Sequence, residues 1–161
     1  DTTYSHYSTW AKEGRFTLTP GDVIDFNEIE DDIKELCEKF KVIDVAYDPW
    51  QTTQLATSLL AKGVNMVEVR QTLQSMSEPM KQLEALVWEK KIEHGNCPVL
   101  TWMMSNVVAK VDGKDNIYPR KERSELKIDG PVATFMAMNR VMSEPVEESA
   151  SGFYSSPIVC K

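Results

Sequence analysis

The feature that most constrains the fold is an acid–proline pair that ends a short, mostly apolar run. Residues 41–47 read Lys-Val-Ile-Asp-Val-Ala-Tyr, and Asp48-Pro49 follows directly. Because proline has no backbone N–H, it cannot continue a central strand. A helical pattern then starts at Thr52 and is expected to stop at Gly63, because glycine commonly ends helices. The pattern predicts a strand that places an acid at its carboxyl end, followed by a helix.

The same alternation extends to both sides of this pair. Residues 15–19 alternate as a strand does, Asn27 is positioned to cap a helix over residues 27–40, and residues 66–70 read as a further strand. Strand–helix–strand–helix–strand order predicts an α/β sheet in which at least two neighbouring strands run parallel. In such sheets functional side chains collect at the carboxyl ends of the strands, where Asp48 and Gln71 are expected.

The second half of the chain is less regular. The segment Ser77–Pro79 is expected to open a helix, residues 98–107 fit either a helix or the start of a strand, and residues 112–116 fit a hairpin loop. The last helix is predicted over residues 128–142, with Asp129 at its beginning. The tail from residue 144 is rich in serine, proline and glutamate, which predicts a loosely held segment.

Composition limits the function classes. The chain has 161 residues, 42% of them apolar, which predicts one domain with a hydrophobic core. Its net charge of −7 argues against a basic protein that coats DNA. Its three cysteines, Cys37, Cys97 and Cys160, lack the spacing of a zinc site. The chain also starts with polar residues and shows no secretory leader. We therefore expect a protein of the reducing cytosol. The motifs of phosphate-cradling loops and serine hydrolase elbows are absent from the sequence.

Two carboxylates remain as the strongest chemical candidates. Asp48 at a strand end and Asp129 at the start of a helix are the residue types that bind Mg²⁺ or Mn²⁺ in enzymes acting on phosphodiesters. The alternative is purely structural, because an aspartate is also common in a tight turn and at a helix N-cap. The basic residues between Lys110 and Lys127 leave a similar choice between a solvated loop and a phosphate-contacting patch.

Ordered motifs along the chain resemble the nuclease domain of phage large terminases of the HK97-like group, the enzymes that package double-stranded DNA into procapsids. The matching stretches are Tyr7-Ser-Thr-Trp10 with Gly14, Leu18-Thr-Pro-Gly21-Asp-Val-Ile-Asp25, Ala46-Tyr-Asp48-Pro-Trp50, Gln71, Met76-Ser77-Glu-Pro79, Leu83-Glu84, His94-Gly-Asn96-Cys-Pro98-Val-Leu, Trp102, Asn106, Lys127-Ile-Asp129-Gly130, Ala133 and Met136-Ala137.

The resemblance implies an RNase H-like fold, with a mixed central β-sheet flanked by helices, and an endodeoxyribonuclease that uses two metal ions, Mg²⁺ or Mn²⁺, about 4 Å apart. Asp48 matches the second acid of the family and Asp129 the third. The family's first acid lies on a strand before Tyr7, and Asp1 is a poor substitute for it. We therefore expect a truncated nuclease domain over residues 1–143, without its first catalytic strand or an ATPase domain, and a tail over 144–161.

The implied partners are double-stranded DNA, the portal protein and the small terminase subunit, in the host cytoplasm rather than a membrane. Lys121 and Lys127 are candidates for DNA backbone contacts. His94 is a candidate for phosphate contact or, alternatively, a turn histidine bonded to backbone. Two other functions stay open: a catalytically silent module that binds DNA or docks on the packaging machinery, and a resolvase-like nuclease for branched DNA.

Overall fold

The structure is a computed structural model that describes residues 2–19, 21 and 24–143. The tail predicted from residue 144, and Asp1, lie outside the described residues. The described part divides into two compact units, one ending at Glu68 and the other beginning at Val69. Helices and strands are interspersed along the chain, so the predicted α/β class is confirmed.

The first unit contains a parallel strand pair with one helix between its strands. The pair brings Val45 opposite Met66 and Tyr47 opposite Glu68. Its helix packs back on the second strand, as expected for a crossover connection. The elements of this unit are α1 (Thr2–Lys12), α2 (Phe26–Lys39), β1 (Val45–Tyr47), α3 (Thr53–Ala61) and β2 (Met66–Glu68).

Aromatic packing organises the beginning of the first unit. The rings of Tyr7 and Phe16 lie 6.0 Å and 5.8 Å from the ring of the buried Trp10, between ring centroids. These contacts stabilise the helix α1. The strand expected over residues 15–19 is wrong, since that segment is irregular.

A buried acid joins α2 to α3. Glu30 is 8% exposed, and its carboxylate accepts hydrogen bonds from the Ser58 hydroxyl at 2.6 Å and from the Lys62 ammonium. These donors, Lys62 first, hold the pKa of Glu30 below its ordinary value. The cap expected at Asn27 is wrong, because the Asp25 carboxylate caps α2 by accepting from the Asn27 N–H at 2.8 Å.

The second unit is built on a central helix that packs against another helix and a hairpin. Ser77 of the central helix accepts a 3.1 Å hydrogen bond from the backbone N–H of Ile117, which attaches the hairpin. Asp112 fixes the hairpin loop by accepting from the N–H groups of Lys114 and Asn116. The elements of this unit are α4 (Leu73–Trp88), α5 (Pro98–Ser105), β3 (Val108–Val111), β4 (Ile117–Arg120) and α6 (Asp129–Ser143); α4 is the central helix and β3–β4 the antiparallel hairpin.

Helix α4 begins at Leu73, four residues before the segment Ser77–Pro79 that the sequence predicted to open it. Thr72 and Ser75 form a reciprocal capping box, in which the hydroxyl of each residue accepts a hydrogen bond from the backbone N–H of the other residue. Pro79, expected in the first turn, lies inside the helix and is buried. The segment 98–107 resolves into the helix α5 followed by a turn. Among the described helices, none combines the length and the apolar character needed to cross a membrane.

Candidate functional site

Asp129 is the first residue of α6, and its side chain is exposed at the edge of a surface cavity of about 600 Å³. An acid in the first helical turn is favoured because the unpaired N–H groups there carry partial positive charge. Pro131 follows two residues later, where its fixed φ suits the first turn of a helix and its missing N–H costs nothing. The local sequence Asp129-Gly-Pro therefore starts the helix at the acid.

The hairpin also contributes residues to the lining of this cavity. Tyr118 and Arg120 of β4, with Lys121 directly after the strand, line it. The Tyr118 hydroxyl donates a 3.1 Å hydrogen bond to the backbone carbonyl of Gln71, a residue that also lines the cavity just before α4. The remaining lining residues are Pro119, Ile128, Val132, Ala133 and Met136.

The cavity combines one carboxylate with two cations. Arg120 and Lys121 are exposed residues that line the cavity, and the Lys121 ammonium donates to the Ser124 carbonyl at 3.1 Å. A carboxylate attracts a metal cation, whereas guanidinium and ammonium groups attract phosphate oxygens. The arrangement is chemically suited to a ligand that combines a metal cation with phosphate oxygens, such as a metal-bound phosphodiester.

Asp48 belongs to the first unit and occupies the place predicted for it, directly after β1. Its Oδ1 accepts a 2.8 Å hydrogen bond from the Trp50 N–H, and its carbonyl accepts from the Thr52 hydroxyl. This is the turn geometry of the structural alternative for an aspartate. The side chain is half-buried, while Trp50 is 79% exposed.

The other predicted site residues are distributed unevenly. Lys121 shares the cavity with Asp129, whereas Lys127 is exposed two residues before Asp129 and is not among the lining residues. The carbonyl of His94 accepts from the Cys97 N–H at 3.2 Å. Within the part of the chain that the structure describes, no hydrogen-bond partner reaches the buried Nδ1 of His94. The carbonyl of His94 therefore takes part in the bonding of this turn, whereas Nδ1 of its ring does not.

Sequence reasoning did not identify Tyr118 and Arg120 as lining residues of the cavity. Arg120 lies within the basic segment that the sequence singled out, so its charge was a usable signal. Tyr118 carried none, because its role depends on the hairpin register, which pairs it with Lys110 and turns it toward Gln71.

A divalent ion needs oxygen or nitrogen ligands held close together. Across residues 2–19, 21 and 24–143, no three histidine, cysteine, aspartate or glutamate side chains cluster closely enough to hold a metal ion. Mg²⁺ is nevertheless commonly bound by only one or two carboxylates, with water and substrate phosphate completing its shell. An exposed carboxylate beside phosphate-attracting cations, as at Asp129, fits that mode of binding.

A family model described as terminase large subunit, endonuclease domain, matches residues 1–144 of the chain. The chain belongs to the terminase large subunit endonuclease domain family. Similar proteins support the assignment of this terminase endonuclease domain. Protein YmfN of Escherichia coli K12 is 34% identical over 156 residues, covering 96% of this chain and 34% of that protein.

The large terminase subunit of Enterobacteria phage HK97 is 31% identical over 144 residues, which cover 88% of this chain and 29% of that protein. The crystal structure of the HK97 bacteriophage large terminase superposes with a TM-score of 0.77 at 30% identity, covering 86% of this chain and 29% of that chain. The likeness confirms the predicted RNase H-like α/β fold. This terminase endonuclease domain spans about a third of the length of the relatives it matches.

Proposed function

We propose that the chain is a metal-dependent endonuclease domain of a viral DNA-packaging terminase. Its substrate would be concatemeric double-stranded DNA, cut by phosphodiester hydrolysis in the host cytoplasm at the start and end of packaging. Family membership supports the nuclease class. The single observation that carries the proposal is the exposed Asp129 carboxylate, placed in one cavity with Arg120 and Lys121.

Asp129 and Asp48 are the proposed ligands of two Mg²⁺ or Mn²⁺ ions. Such ions would supply charge stabilisation for the attacking and leaving oxygens of the phosphodiester. The cationic side chains of the chain would position the DNA. Arg120 and Lys121 would hold the DNA phosphate at the rim of the cavity, and Lys127 and His94 would contact the backbone further along.

The portal protein and the small terminase subunit are proposed as partners of the full packaging enzyme, on the basis of the family. A second function is favoured by one observation at Asp48. Its Oδ1 is engaged by the Trp50 N–H in a turn, a role that needs no metal. In that case the chain is a catalytically silent module that binds DNA or docks on the portal or small subunit.

Metal binding separates the two functions. We expect Mn²⁺ titrated into the chain and followed by electron paramagnetic resonance to be bound, with the affinity reduced in Asp129→Asn and in Asp48→Asn. Asp115→Asn is the matched control, because Asp115 is an exposed acid in the hairpin loop of the second unit. Equal Mn²⁺ binding by all four proteins would favour the silent module.

A further inference from the structure

The start of α6 has no side-chain cap of its own. The residue before Asp129 is Ile128, whose aliphatic side chain cannot accept a hydrogen bond from the N–H groups of the first turn. Its carbonyl accepts the first helical bond, from the Val132 N–H at 3.0 Å. A helix that starts without a side-chain cap frays readily, which would leave the position of a carboxylate on its first residue poorly defined.

Helix α5 provides the missing constraint. Asn106, the C-cap residue directly after α5, is 8% exposed, and its side-chain Nδ2 donates a 3.0 Å hydrogen bond to the backbone carbonyl of Lys127. The N–H of Gly130 donates to the Met103 sulfur at 3.4 Å. The two bonds hold the chain on both sides of Asp129.

The packing at Gly130 leaves little room for this segment to shift. A Cβ atom at that position would lie 3.1 Å from the Met103 sulfur and 3.2 Å from Cδ1 of Leu100. The backbone of α6 therefore sits directly against side chains of α5. The buried Asn106 amide forms its hydrogen bond across this contact. It is therefore well placed to fix the register of α6 against α5.

We infer that Asn106 is a positioning residue for Asp129: through the Lys127 carbonyl it fixes the carboxylate where it can bind a metal ion. The inference rests on the proposed function of Asp129 and adds to it a second residue, at the C-cap of α5. Asn106 does not touch DNA or metal in this scheme. Groups that orient a metal ligand in this way typically change metal affinity about 10- to 100-fold when they are removed.

The test compares two asparagines that make the same kind of bond. Asn106→Leu removes the donor to Lys127, and Asn139→Leu removes a similar donor, since Asn139 Nδ2 bonds to the Ser75 carbonyl at 3.1 Å. Asn139 lies on the same helix as Asp129 but ten residues later. Both changes should destabilise the protein, but only one removes a bond near Asp129.

We expect Asn106→Leu to raise the Mn²⁺ concentration for half-maximal plasmid nicking about tenfold, with Asn139→Leu within about twofold of the parent. If Asn106→Leu does not fold, Asn106→Asp, of nearly the same shape, takes its place. Met103→Leu, which removes the sulfur acceptor at similar volume, should shift the dependence in the same direction. Equal Mn²⁺ dependence of the Asn106 and Asn139 variants would overturn the inference.

A readout independent of activity keeps the inference separate from the proposed function. Amide hydrogen exchange at residues 127–130 should be faster in the Asn106 variant than in the Asn139 variant. If the parent chain does not cut DNA with Mn²⁺, the proposed function fails for this chain, and the exchange rates alone decide the inference. Equal exchange in the two variants would then contradict it.

Discussion

The side chain of Asn139 donates a 3.1 Å hydrogen bond to the backbone carbonyl of Ser75, the carbonyl that Pro79 leaves without a helical partner. In a regular helix the N–H of residue 79 would bond to that carbonyl, four residues earlier. Proline has no N–H, so α4 would carry an unsatisfied acceptor at this point. Helix α6 supplies the donor, and this pairing explains how α4 keeps a proline within its span.

We expect Asn139→Leu to lower the free energy of unfolding by about 1–3 kcal/mol, because it leaves the Ser75 carbonyl partly buried and unpaired. In a Pro79→Ala background the loss should be smaller, because alanine restores the helical bond. Chemical denaturation of the four proteins in this double-mutant cycle gives the coupling. Additive losses would show that the two residues act independently.

The core of the first unit offers a matched pair of adjacent leucines. Leu59 is fully buried, whereas its neighbour Leu60 is 49% exposed. Leu59→Ala should lower the free energy of unfolding by about 2–5 kcal/mol, since it leaves a cavity. Leu60→Ala should change it by no more than about 0.5 kcal/mol. Urea denaturation measures both, and similar losses would contradict the burial of α3.

Glu30 should make the first unit sensitive to acid. Its folded pKa is held below the ordinary value of 4.5, mainly by the hydrogen bond from Lys62. The stabilisation is therefore complete above that ordinary value and is lost as the pH falls through the lower folded pKa. Thermal unfolding from pH 7 to pH 3 should show a melting temperature that falls less steeply in Glu30→Gln than in the parent.

The control for the acid series is Glu35→Gln, an exposed residue of the same helix, which should retain the steepness of the parent. Glu30→Gln should also lower the melting temperature at pH 7, because the Lys62 ammonium loses its charged partner. An unchanged acid slope in Glu30→Gln would contradict the role given to the Glu30–Lys62 pair.

Several helices and Asp129 could be predicted from the sequence, but the cavity around Asp129 could not. Helix α3 followed from its apolar spacing and Gly63, and β1 from its apolar run before Asp48. The start of α4 was misplaced because Pro79 resembles a first-turn proline. The Asn139 amide that bonds the Ser75 carbonyl lies 64 residues from Ser75, a separation that local patterns do not contain.

The candidate site likewise has one residue that the sequence identifies and several contacts that it does not. Asp129 was identifiable because an acid before Gly-Pro marks a helix start, whatever its function. Tyr118 and Gln71 meet through a hydrogen bond across 47 residues, and Asn106 reaches Lys127 across 21. Each of these contacts depends on how the hairpin and α5 pack on their neighbours, so no local pattern identifies them.

The cations on the cavity rim should contribute to DNA affinity through phosphate contacts. In an Asp129→Asn background, to prevent cleavage, Arg120→Ala and Lys121→Ala should each weaken duplex binding. Each should also reduce the slope of log affinity against log salt by about 0.9 per lost phosphate contact. Lys91→Ala is the control, since Lys91 is exposed near the end of α4 and is paired with Glu89. Equal slopes for all three variants would rule out the rim as a DNA contact.

The most direct test of the account is nicking of supercoiled plasmid by this 161-residue chain in Mn²⁺, beside Asp48→Asn, Asp129→Asn and the control Asp115→Asn. We expect cleavage by the parent and the control, and a loss of about a hundredfold or more in each of the two proposed ligand variants. Cleavage that continues unchanged in Asp129→Asn would contradict it, because the nuclease site would then lie elsewhere.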